Sequence, residues 1–73
     1  MANHVYKVIE LVGTSDESIT KAIGSAVETA GKSVRRLGWF EVIQIRGSIE
    51  QGKLDQYQVT IKAGFTIDGN DEA

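Results

Sequence analysis

The 73 residues contain no cysteine, no proline, one histidine and one methionine. Without cysteine there is no disulfide and no thiolate-held metal. A single histidine, His4, cannot build an imidazole metal site. It also lies near the N-terminus, a poor place for the base of a Ser-His catalyst. Lack of proline fits short, tight connections. Charge is not concentrated in one sign: 8 Lys and Arg stand against 10 Asp and Glu, interspersed, for a net charge of −2. A nucleic-acid partner would want a basic face or stripe, so none is expected. No apolar run reaches the length of a membrane-crossing helix. Met1 to Lys7 carries no signal-peptide core. A soluble cytoplasmic protein is therefore the expectation. A single domain over residues 1–73, with no staple, draws only about 3–5 kcal/mol from its core. Oligomerisation is the remaining staple.

What is present is strongly patterned. Val5–Val12 reads as strand 1, with apolar residues on both of its faces, so both should be covered. Gly13 to Glu17 reads as a turn and helix start, with Thr14 or Ser15 as cap. Ile19, Ala22, Ile23, Ala26, Val27, Ala30, Val34 and Leu37 recur at helical spacing, which predicts a helix over 15–37. Arg35 and Arg36 would then favour its C-terminal dipole, and Gly38 would be the glycine just past its end. Gly24 and Gly31, seven positions apart, either admit another backbone or are simply tolerated. Residues 39–49 read as strand 2, Glu50-Gln51-Gly52-Lys53 as a hairpin turn, and 54–67 as strand 3. Strand 3 alternates most cleanly. Tyr57, Val59, Ile61, Ala63, Phe65 and Ile67 should face the helix, and Gln58 should look away. Residues 68–73 read as a polar tail. The fold class is α+β: a β-α-β-β protomer whose antiparallel sheet, in order 1-3-2, lies against one helix. Such a sheet leaves edges that association would cover.

Chemistry is sparse. Asp16 and Glu17 are explained by helix capping, and Gly13-Thr14-Ser15 lacks a glycine-rich phosphate fingerprint. No catalytic constellation is visible, so the reading is not an enzyme, and no metal site is expected. What remains is a binding argument. Trp39, the only tryptophan, is either a packed residue or a stacking platform. Gln58 has both donors and an acceptor for an amide-like edge. Arg46 has a fixed charge suited to phosphate. The ordinary readings are a core Trp, a surface Gln and an Arg in a cross-strand ion pair. From these residues alone the chain is a small oligomeric α+β binding protein.

Taken in order, the blocks Val5-Tyr6-Lys7-Val8-Ile9-Glu10-Leu11-Val12-Gly13-Thr14-Ser15, Leu37-Gly38-Trp39-Phe40-Glu41-Val42, Ile45-Arg46-Gly47, Tyr57-Gln58-Val59 and Gly64-Phe65 resemble the dodecin family of flavin-binding proteins. The resemblance implies a sheet wrapped round its helix and protomers assembled into a hollow dodecamer. It implies flavins bound as stacked pairs between Trp side chains of symmetry-related subunits. By motif position Trp39 stacks, Gln58 bonds the pyrimidine edge of the isoalloxazine, and Arg46 reaches the phosphate of FMN. Gln44 stands where archaeal members carry an acidic residue that contacts the ribityl chain. That departure counts against a riboflavin preference and favours FMN, with riboflavin and FAD as the other flavins such a site could take. Gly38 departs from the acidic or polar residue usual before the Trp. Bacterial members are associated with coenzyme A, whose phosphates Lys7 and Lys32 would meet. The implied function is flavin storage: buffering free FMN and quenching its photochemistry. The alternatives are a ligand-free oligomeric interaction module and a small flavoenzyme.

Overall fold

A computed structural model describes residues 3–67. The order is β1 (Tyr6–Ser15), α1 (Ile19–Gly31), β2 (Leu37–Glu50) and β3 (Lys53–Thr66). The strands form one antiparallel sheet in the order β1-β3-β2. That is the β-α-β-β architecture expected of the sequence. Residues 68–73, read as a polar tail, lie outside the described residues.

The element bounds differ from those the periodicity predicts. β1 does not stop at Val12 but pairs with β3 through Ser15, opposite Tyr57. Gly13 is therefore not a turn residue. It is buried under the helix, where a side chain would collide with the carbonyl of Ala22. The turn follows Ser15, whose Oγ accepts from the backbone N–H of Glu17 (2.9 Å) and of Ser18 (3.3 Å). Ser18, rather than Thr14 or Ser15, caps the helix: its Oγ accepts from the N–H of Lys21 at 3.0 Å. Glu17 and Lys21 form an exposed ion pair across this start.

The helix ends at Gly31, six residues before the predicted Leu37. Gly31 is a poor helix former. Beyond it the N–H groups of Ser33 (3.1 Å) and Val34 (2.9 Å) both turn back to the carbonyl of Ala30. Arg36 then takes a left-handed φ of 67°, and Leu37 is already paired with Phe65. The basic pair Arg35–Arg36 thus lies in the connection and not in the last helical turn. Gly38 belongs to β2 and is no helix-end glycine. Val34 and Leu37 fit helical spacing by coincidence, and the sheet ladder overrides it. Within the chain there is open space beside Gly24 and Gly31.

The hairpin turn is as expected. Gln51 (φ 53°) and Gly52 (φ 75°) are both left-handed, which two-residue hairpins require. The expected face of β3 meets the helix: Val59, Ile61 and Ala63 are buried, and Val59 and Ile61 pack with Ala22 and Ala26. Ile67 lies past the helix and is exposed. The helix packs chiefly on β1 and β3, leaving most of β2 uncovered. Phe40, Val42 and Ile45 pair with Ala63, Ile61 and Val59, so they share the helix-side face, yet all three are exposed. The body measures 54 × 20 × 14 Å, with a radius of gyration of 15.0 Å. A compact domain of this length would have about 11 Å. The chain alone is a long, thin sheet with a core of small residues.

Candidate functional site

The sheet face away from the helix carries the polar and aromatic side chains the sequence singles out. Directly paired residues of an antiparallel ladder share a face. Gly64, Lys62, Thr60 and Gln58 of β3 therefore define this face, and their β2 partners are Trp39, Glu41, Gln44 and Arg46. Strict alternation would not put these β2 residues together, because Trp39 is odd-numbered and Gln44 and Arg46 are even. A β-bulge between Val42 and Gln44 resolves this. Ile43 is the extra residue, and it flips the parity of the strand. Without it, Gln44 and Arg46 would point toward the helix side.

Trp39 lies at one end of the face. Its indole covers Gly64, which is buried as a result. Tyr6, on β1, meets the indole edge-on, with ring centroids 5.9 Å apart and planes at 69°. That is a favourable aromatic geometry. Even so, Trp39 remains 40% exposed. It is neither a core residue nor a free one. It is seated on the chain's own backbone with surface to spare.

Gln58 and Arg46 stand opposite each other across the β2–β3 ladder, and Gln44 stands opposite Thr60. Gln58 is half-buried, and Arg46 and Gln44 are exposed. This polar group is well separated from Trp39. Trp39 pairs with Gly64 and Arg46 with Gln58, six positions along β3. At about 3.4 Å per residue that is about 20 Å. A single chain therefore holds the indole and the polar group on one surface but not in one pocket.

Lys7 and Lys32 are both exposed. Lys7 pairs with Phe65, and Lys32 caps the C-terminus of α1. A shallow groove of about 490 Å³ runs along Ser33, Arg35, Arg36, Phe65 and Thr66, and neither lysine lines it. Among the described residues no cluster of three or more His, Cys, Asp or Glu could hold a metal ion. Among them, too, no helix is long and apolar enough to cross a membrane.

Two participants escaped the sequence reading. Tyr6 entered only as a residue of strand 1 and of a resemblance block, with no role at the site. Gly64 entered only as part of the Gly64-Phe65 resemblance block, although a glycine inside a clean strand pattern marks a bulge or a close approach.

Comparison with known proteins gives a consistent answer. The dodecin family model matches residues 5–68. The dodecin of Thermus thermophilus is 47% identical over 64 residues, which cover 88% of this chain and 93% of the relative. Among solved structures, the dodecin of Streptomyces coelicolor superposes with a TM-score of 0.88 at 44% identity, covering 96% of this chain and all of that one. The dodecin from Streptomyces davaonensis gives 0.86 at 40% identity, over 92% of this chain and 98% of that one. With the same element order, the same 1-3-2 sheet and matches over nearly its full length, this chain belongs to the dodecin family.

Proposed function

We propose that the protein is a non-enzymatic flavin store that binds FMN between subunits of a dodecamer. Flavin binding is known for the dodecin family. For this chain the reading is carried by one observation. Trp39 is held over Gly64 with part of its indole uncovered, on the sheet face that also bears Gln44, Arg46 and Gln58. The indole supplies a flat stacking surface. Gln58 supplies donors and an acceptor for the pyrimidine edge. Arg46, opposite Gln58, supplies a cation for the phosphate, and Gln44, opposite Thr60, offers hydrogen-bonding groups to the ribityl chain without a negative charge that would repel the phosphate. A bound flavin brings a photoexcitable redox ring, which contact with the electron-rich indole quenches.

The 20 Å between Trp39 and Gln58 bears on assembly. One tricyclic ring cannot stack on the first and hydrogen-bond the second within a single chain. Chains related by symmetry can bring one subunit's Trp39 to another's Gln58, and two Trp39 residues can enclose a stacked flavin pair. Assembly is supported independently by the exposed apolar strip Phe40, Val42, Ile45 and Ile49, and by the thin shape of the protomer. Coenzyme A enters as a second ligand through its phosphates, with exposed Lys7 and Lys32 as the cations that meet them.

Titration of FMN into the apoprotein tests this function. Strong quenching of flavin fluorescence at micromolar protein is expected, together with a dodecamer by light scattering. Unchanged fluorescence would leave an interaction module as the better account. A stable, folded monomer would remove the composite site. NADH turnover with a dye acceptor would move the assignment to a flavoenzyme.

A further inference from the structure

Gly64 has no backbone reason to be glycine. Its φ is outside the left-handed region, which among the glycines of this chain only Gly52 occupies. It pairs with Val8 in the regular β1 ladder on one side and with Trp39 on the other, next to an irregularity of β2 at Gly38. Glycine in such a position weakens a strand. The cause is in what occupies the space of the missing side chain. A Cβ on Gly64 would fall on the six-membered ring of the Trp39 indole, at Cε2 and Cζ2, and its nearest neighbours are all indole atoms. The other strand glycines differ. A Cβ on Gly13 would strike the backbone of Ala22, and one on Gly47 the carbonyl of Gln56 at 2.9 Å. One on Gly38 would meet nothing closer than 4.0 Å. Only at Gly64 do all the nearest atoms belong to one side chain, and that side chain is the candidate stacking residue.

We infer that Gly64 is the positioning residue of the ligand site: its missing side chain seats the Trp39 indole on the sheet, and Tyr6 clamps the seated ring by its edge. This rests on the flavin reading for its functional consequence, though the seat itself exists without ligand. The physical argument is one of pre-organisation. A tryptophan on an exposed edge strand has several rotamers, and a ligand that needs one of them loses affinity for every alternative populated. The hollow over Gly64 and the tilted Tyr6 ring, its centroid 5.9 Å from that of the indole, select one. A methyl group at Gly64 would lift the indole out of the hollow and away from Tyr6. The indole would remain present but would no longer lie where a ring can stack on it.

The test compares wild type, Gly64→Ala, Trp39→Ala and the double variant, with and without FMN. Trp39 is the only tryptophan, so its near-UV circular dichroism reports the seat directly. Gly64→Ala should keep the wild-type assembly size, lose most of the indole signal in the apoprotein, and weaken FMN binding on the order of tenfold to a hundredfold. An unchanged indole signal with unchanged FMN affinity would overturn the inference. If Gly64→Ala fails to assemble, the double variant decides. Assembly restored by removing the indole shows that the clash is with Trp39, and failure even without the indole refutes the seat. If wild type itself binds no FMN, the flavin reading falls, while the apo indole signal still settles whether Gly64 seats the ring.

Discussion

Replacement of Trp39 by alanine separates a ligand residue from a packing residue, and the structure supplies the magnitude. Trp39 is 40% exposed, so its own chain covers about three-fifths of it. Taking about 250 Å² for a whole tryptophan, some 100 Å² is left for a stacked ring. At about 25 cal/mol per Å² that surface contributes about 2.5 kcal/mol. Aromatic stacking adds about 0.5–1.5 kcal/mol. A ring does not cover every exposed edge, so the expected loss for Trp39→Ala is on the order of 2–4 kcal/mol, or about thirtyfold to a thousandfold in Kd. The assay is quenching of FMN fluorescence with calorimetric confirmation, next to light scattering of the apoprotein. The apo assembly should keep its size, because the strand pairs through its backbone and the side chain lost is only partly buried. Dissociation of the apo Trp39→Ala assembly would refute the reasoning. The surface counted here as available to ligand would then be subunit interface. Unaltered FMN affinity in an intact assembly would refute it in the other direction.

Gln58→Ala should cost FMN binding on the order of 1–3 kcal/mol by leaving polar ligand edges unpaired, with assembly size preserved; calorimetry at constant salt checks this. Arg46→Ala should weaken FMN by only about 1 kcal/mol, since the guanidinium is exposed and screened, and should leave riboflavin nearly unaffected. An equal loss for both flavins would remove Arg46 from the phosphate. Ser18→Ala should lower stability by about 1 kcal/mol through loss of the cap to Lys21, seen in denaturant midpoints, whereas Thr14→Ala should leave the helix start unchanged.

Much of this protein is legible from one-dimensional pattern, because much of it is governed by local rules. Period-2 alternation in β3 identified the residues that meet the helix, since a strand with one covered face cannot slip register without exposing its core. Two left-handed residues at Gln51 and Gly52 make the hairpin, and the sequence signal for that is local. The β-α-β-β order follows from element type, and the 1-3-2 sheet from the length and apolar character of strand 3, which mark it as central. The candidate stacking residue followed from Trp39 being the only tryptophan, placed beside a strand. Helix limits were less legible. Apolar residues at helical spacing continue past Gly31 to Leu37, and nothing local says that Leu37 will pair with Phe65 instead.

Tertiary structure alone decided the geometry of the site. The bulge at Ile43, visible only once β2 is paired with β3, turns Gln44 and Arg46 to the face of Trp39. The register of β2 on β3 sets Trp39 and Gln58 six positions apart, a distance no spacing along the chain encodes. The partnership of Gly64 and Trp39 joins residues on different strands. Glycine carries no side chain to announce it, so its role emerged only when the space above it was found filled by an indole. Sequence determined which surfaces and side chains this protein has, because propensity and periodicity are local. The fold decided which of them share a face and which lie too far apart to act within one chain, because pairing register and bulges are set by the partner strand.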